Sequence, residues 1–144
     1  MTITSQELRA VSLLASIQDK ELGKLARQLK ERRYEAGQTI VKERTGGIGF
    51  FLMLEGTASV TIRGEQRGTL GPGSTFGELA LFDMSADRMA TIEAETPVRC
   101  AAMTAWEFKP FVVAHPEVAW TMLTSIAGRL RAAEERVDTV ADPA

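Results

Sequence analysis

The stretch from Phe76 to Thr91 reads FGELALFDMSADRMAT, and three of its residues have types and spacing suited to chemistry: Gly77, Glu78 and Arg88. A glycine ahead of a short helix lets exposed backbone N–H groups approach an anion closely. An arginine just before the β-prone run from Met89 to Ile92 supplies a planar, permanently charged donor for a phosphate. Glu78 would repel that phosphate and so has to face something else, such as a sugar hydroxyl from which it accepts a hydrogen bond. A phosphate, a nearby hydroxyl and an apolar remainder describe a nucleotide. The plainer alternative is that Glu78 and Arg88 form an ion pair that fixes the loop between them.

Other chemistries have little support. The chain has one histidine and one cysteine, Cys100, so neither a cysteine zinc site nor a His pair for metal ligation is available. His115 stands beside Pro116 with no serine or cysteine pattern near it and reads as a junction residue; no catalytic residue and no enzymatic activity are expected. The formal charge of −2 over 144 residues gives no bias toward nucleic acid or an anionic membrane. No segment approaches the ~18 apolar residues of a membrane span, and MTITSQELRA lacks the apolar core of a signal peptide. A cytoplasmic location is the expectation.

The elements that must position the three residues fall into three parts, expected to form one domain. Residues 1–30 form an N-terminal helical segment, with a capping box at Thr4-x-x-Glu7 and an amphipathic helix from Lys20 to Leu29 capped by Asp19. Residues 31–103 break into short runs: Glu31–Glu35, Thr39–Lys42, Phe50–Leu54, Ala58–Ile62, Arg67–Leu70, Ala90–Glu95 and Arg99–Met103. Turn signals at Ala36-Gly37, Gly46-Gly47, Glu55-Gly56, Gly64 and Gly71-Pro72-Gly73 separate them, which argues for a compact antiparallel sandwich or barrel. Phe50 to Leu54 is continuously apolar and is expected to be buried on both faces. Residues 104–137 return to helical period, with a second capping box at Thr104-x-x-Glu107, Pro110 early in the helix or breaking it, and a final helix from Pro116 to about Val137. Val118, Met122, Leu123, Ile126, Leu130, Ala133 and Val137 give that helix an apolar stripe, and 138–144 reads as a frayed tail. Trp106 and Trp120 are expected in the core.

With that layout around it, FGELAL followed by R-x-A-T resembles the phosphate-binding cassette of the cyclic nucleotide-binding domain family. The match is Phe76-Gly77-Glu78-Leu79-Ala80-Leu81 and Arg88-Met89-Ala90-Thr91, with Gly37, Gly56 and Gly73 at the family's turns. The resemblance implies an α+β fold: an antiparallel β-roll, jelly-roll-like, carrying the cassette at 76–91 and a short cassette helix, flanked by N-terminal helices and two C-terminal helices. It implies that Glu78 accepts the ribose 2′-hydroxyl and Arg88 holds the cyclic phosphate. Backbone N–H groups of Gly77, Leu79 and Ala80 complete the anion site, and Met89 and Ala90 add backbone contacts. Ile62, Leu70 and Leu79 are candidates for the base pocket. Arg129 and Arg131 are candidates for a lid stacking on adenine.

Two residues depart from the family pattern. Met89 stands where a threonine is associated with cGMP preference, so cAMP is the expected ligand and cGMP the less favoured one. Asp87 replaces the usual proline and brings a negative charge beside Arg88. The expected function is a stand-alone regulatory module that signals through movement of its C-terminal helix to an unknown protein effector; the alternative is a structural or interaction module that keeps the fold with weak or lost binding. No DNA-reading element is expected after Val137. A homodimer is expected to use Met122, Leu123, Ile126 and Leu130.

Overall fold

A computed structural model describes residues 3–46, 49–83 and 87–141. Gly47, the cassette loop at 84–86 and the end of the tail at 142–144 lie outside the described residues, as does the side chain of Val137. The first helix, α1 (Ser5–Arg9), has the expected capping box, Thr4 bonding the Glu7 N–H and Glu7 returning to Thr4. A 3-10 turn at Ser12–Leu14 leads to α2 (Asp19–Gln28). Asp19 is not its cap. Gln18 stands there instead, and the Asp19 carboxylate accepts from Arg9 Nη2 at 2.6 Å.

Among the described residues eight strands follow the helices: β1 (Lys30–Tyr34), β2 (Thr39–Val41), β3 (Gly49–Glu55), β4 (Ala58–Ile62), β5 (Glu65–Leu70), β6 (Thr75–Phe76), β7 (Thr91–Ala94) and β8 (Val98–Thr104). They make two four-stranded sheets in the orders β1-β8-β3-β6 and β2-β7-β4-β5, every pairing antiparallel. This is the expected β-roll. β6, two residues long, escapes sequence reading because it shows no alternation. The short helix α3 (Leu79–Phe82) follows β6, and α4 (Ala105–Ala114) and α5 (Pro116–Ala141) close the chain.

The apolar run of β3 is buried on both faces because two cores meet there. Phe50 and Leu52 face the helices with Leu8, Leu14, Leu22, Leu25, Phe108 and Val118. Phe51 and Met53 face the space between the sheets with Phe76, Ile92, Val98 and Cys100. Successive side chains on a strand point to opposite sides, so one strand serves both cores. β8 does the same, with Ala101 and Met103 outward and Cys100 and Ala102 inward.

A buried arginine ties the helical layer to the roll. Arg99 of β8, 4% exposed, pairs with Glu7 of α1, with Glu31 of β1 at 3.2 Å and with Glu55 of β3 at 3.3 Å. Breaking such a pair from one side is costly because the remaining charge stays out of water.

The C-terminal helices differ from expectation in four respects. α4 keeps its Thr104–Glu107 capping box but runs on through Pro110, with no break. Trp106 and Trp120 are 66% and 73% exposed, so neither is a core residue. α5 continues past Val137 to Ala141, and its apolar stripe divides: Val118 and Met122 are buried, while Leu123 and Leu130 are exposed. Met122 is thus spent inside the protomer. Every described side chain from 127 to 136 is exposed, so the second half of α5 has little packing beneath it.

Candidate functional site

A cavity of about 220 Å³ opens between the cassette and the β2-β7-β4-β5 sheet. Its floor follows from register. Val41 and Val60 are both paired opposite Ile92, so three β-branched side chains form one row across β2, β7 and β4. Leu70, at the end of β5, and Leu79 and Met89 from the cassette add apolar wall. Such a surface suits the flat apolar faces of a purine and carries few groups to bond its edges.

The polar end is built by Gly77, Glu78 and Arg88. Gly77 has φ of +88°, and a Cβ there would overlap the Gly49 carbonyl oxygen and stand 3.0 Å from Arg88 Nη1. Two glycines, Gly77 and Gly49, therefore make the bed on which the guanidinium lies. The backbone of Arg88 is held on both sides: its N–H donates to the Thr45 carbonyl at 2.8 Å, and its carbonyl accepts from Arg44 N–H at 2.9 Å. Among the described residues no carboxylate pairs with the Arg88 side chain. Burial pulls its basicity below the ordinary arginine value, as expected of a cation removed from water without a counter-charge. An anion entering the cavity would relieve that cost.

Glu78 is buried, 7% exposed, and does not pair with Arg88. Its Oε1 accepts from Arg129 Nη2 of α5, while its Oε2 has no hydrogen-bond partner among the described residues. The ion-pair alternative read from the sequence thus has the wrong arginine. A buried carboxylate oxygen with nothing donating to it is unusual and fits a ligand hydroxyl.

The cavity brings together Gly77, Glu78, Leu79, Arg88, Met89, Ala90, Leu70 and Arg129. Ala80 lies in α3. Ile62 and Arg131 are elsewhere. Ile62 is two residues nearer the β4–β5 turn than Val60, beyond the cavity. Arg131 lies in a shallow groove along α5 with Trp120, Leu123, Thr124, Ala127 and Gly128. Residues that sequence reasoning missed are Val41, Val60, Thr75 and Ile92, along with Phe76 as a lining residue. Val60 alternates with the polar Ser59 and Thr61 in sequence, but only its pairing with Ile92 shows where its side chain leads. Asp87 also lines the cavity and is exposed. Among the described residues no group of three or more His, Cys, Asp or Glu is arranged to hold a metal.

A family model for the cyclic nucleotide-binding domain matches residues 31–115. The chain belongs to that family. This cyclic nucleotide-binding domain is similar in structure to cAMP-bound PfPKA-R (141–441), with 27% identity and a TM-score of 0.83 over 91% of this chain and 45% of that one. It is also similar to the catabolite activator protein of Thermus thermophilus, with 25% identity and a TM-score of 0.78 over 90% of this chain and 62% of that one. In sequence it is 32% identical over 139 residues to glutaminase 2 of Bradyrhizobium diazoefficiens, covering 93% of this domain and 22% of that protein. The chain therefore spans less than two thirds of the length of each of these relatives. The family is one of regulatory, generally non-catalytic domains, and the match to part of a glutaminase says nothing of catalysis here. No helix among the described residues is long and apolar enough to cross a membrane.

Proposed function

We propose that this domain is a regulatory module that binds a cyclic nucleotide, cAMP in preference to cGMP, and signals through movement of α5. The observation that carries the reading is that one cavity holds an arginine and a buried carboxylate oxygen, neither of which has a partner among the described residues. Arg88 takes the cyclic phosphate, and the N–H groups of Gly77, Leu79 and Ala80 add to the anion site. Glu78 accepts the ribose 2′-hydroxyl. Met89 and Ala90 add backbone contacts, and the Val41–Ile92–Val60 row receives the base. The absence of a hydroxyl at Met89 favours cAMP over cGMP. Signalling requires that the ligand bind two states of the domain with different affinity. The thinly packed second half of α5 is the element best able to supply a second state.

Titration calorimetry with cAMP and cGMP tests the reading. Binding of cAMP that weakens about 10–150-fold in Arg88→Ala supports it, since a hydrogen bond to a charged group contributes roughly 1.5–3 kcal/mol. No heat from either nucleotide at ~1 mM, an affinity of only about −4 kcal/mol, overturns it. That outcome supports a second reading, in which the fold serves as an interaction module without ligand. Asp87 on the cavity wall is the observation favouring it, because its charge opposes a phosphate.

The partner that the outer face of α5 fits is a second copy of the chain. Trp120, Leu123, Ala127 and Leu130 recur at alternating spacings of three and four, as in a two-helix seam. This seam replaces the one expected from the sequence, since Met122 is buried. Sedimentation as a dimer that becomes a monomer in Leu123→Glu is the expected result.

A further inference from the structure

Among the described residues four charged side chains line the cavity: Glu78, Asp87, Arg88 and Arg129. Glu78 and Arg129 are paired with one another. The charges left to face a phosphate are therefore Arg88 and Asp87, neighbours in sequence and opposite in sign. Arg88 is half-buried against Gly77 and Gly49, whereas Asp87 is exposed. Among the described residues no cation pairs with the Asp87 carboxylate, so its charge is not spent on holding the loop.

We propose that Asp87 is a specificity-determining residue that reads the charge of the ligand's phosphate: it admits a phosphodiester with one negative charge and turns away a phosphomonoester with two. The proposal rests on the function proposed above and deepens it by separating a cyclic nucleotide from the acyclic nucleotides that share its base and sugar. Arg88 offers one positive charge, and a cyclic phosphate, a monoanion, matches it. A terminal phosphate carries about −1.5 to −2 at neutral pH, so its second charge meets no free cation and faces Asp87 instead. Coulomb energy scales with the product of the charges, so Asp87 opposes a dianion about twice as strongly as a monoanion. Because Asp87 is exposed, water screens the repulsion, and a monoanion held by Arg88 loses little affinity to it. The apolar Val41–Ile92–Val60 row receives the base of either class alike and cannot make this distinction.

The experiment is competition against a fluorescent cAMP analogue by cAMP, 5′-AMP and the methyl ester of 5′-AMP, with the native domain and Asp87→Asn. The ester is acyclic like 5′-AMP but carries one charge, which separates charge from ring closure. Asp87→Asn keeps the size of the side chain and removes its charge, and at an exposed position it should leave the melting temperature unchanged. The native domain should bind the ester more tightly than 5′-AMP. Asp87→Asn should narrow that gap by about three- to tenfold, the effect of one unit charge a few ångströms from an exposed carboxylate. Raising salt from about 0.1 M to about 1 M, which shortens the screening length from ~10 to ~3 Å, should narrow the gap in the native domain and change it little in the variant. An equal gain for all three ligands in Asp87→Asn, or no gain for 5′-AMP, overturns the proposal while the proposed function stands. Failure of the native domain to bind cAMP overturns both.

Discussion

Gly77 and Arg88 fit one another: with Gly77 at φ +88°, the Arg88 Nη1 lies 3.0 Å from where a Cβ on Gly77 would stand. The bare backbone of one residue is the floor under the guanidinium of the other. Arg88 can thus lie deep enough to lose water while a ligand still reaches it.

Gly77→Ala should disturb both fold and site. A side chain at positive φ costs about 1–2 kcal/mol, and the new Cβ would also overlap the Gly49 carbonyl oxygen and press on Arg88. The expected result is a lower melting temperature together with a loss of cAMP affinity of about tenfold or more, each 1.4 kcal/mol being tenfold. Thermal melts and calorimetry on the same preparation check it. Arg88→Ala, which leaves the backbone alone, should lose affinity with little change in melting temperature.

The contact between Glu7 and Arg99 makes stability depend on acidity. The Arg99 side chain bonded to Glu7 holds its carboxyl below the usual value of 4.5, against the opposing effect of burial. Folding lowers this pKa, so the stabilisation is complete above about pH 4.5 and is lost as pH falls through the lower folded value. Glu7→Gln should destabilise the domain at pH 7 by roughly 1.5–3 kcal/mol, the value of a hydrogen bond to a charged group. It should also flatten the acid limb. Urea midpoints measured between pH 3 and 7 for both proteins are the test.

Phe108 is the aromatic wedge between α4 and β3. It is fully buried, with its ring centroid 4.7 Å from that of Phe50 and 5.4 Å from that of Phe111. Phe108→Ala should cost about 3–5 kcal/mol, from lost transfer energy plus the cavity left behind. Urea denaturation measures it, and a cost under 1 kcal/mol would mean the helical layer repacks freely.

Cys100 should be silent toward thiol reagents in the native domain. It is buried in the inter-sheet core, and burial pushes its thiol up to about 12. Little reactive thiolate is then present at neutral pH. Labelling with a disulfide reagent should proceed only after denaturant is added, at the rate of an exposed thiol.

What could be read from the chain alone was local. The capping boxes at Thr4–Glu7 and Thr104–Glu107 formed as expected because a cap is made within four residues of sequence. The turn at Gly56 and the bed at Gly77 were legible because positive φ selects glycine without reference to the rest of the fold. The double burial of Phe50 to Met53 followed from an apolar run of strand length. Cassette residues from Gly77 to Ala90 were found together because they are neighbours in sequence as well as in space.

Tertiary structure decided what depends on distant partners. Asp19 would cap its helix on local rules, but Arg9 takes its carboxylate. Trp106 and Trp120 are apolar by type, yet the helical layer already buries Phe108, Val118 and Met122 and leaves the tryptophans outside. Val41, Ile92 and Val60 form one floor only through strand register, which no local pattern encodes. The partner of Glu78 shows the limit most clearly. Sequence offered Arg88, ten residues on, but α5 folds back across the cassette and brings Arg129 to that carboxylate, so that among the described residues no carboxylate pairs with Arg88. Which of two arginines meets a glutamate is set by where a helix lies, and that is a property of the packed chain.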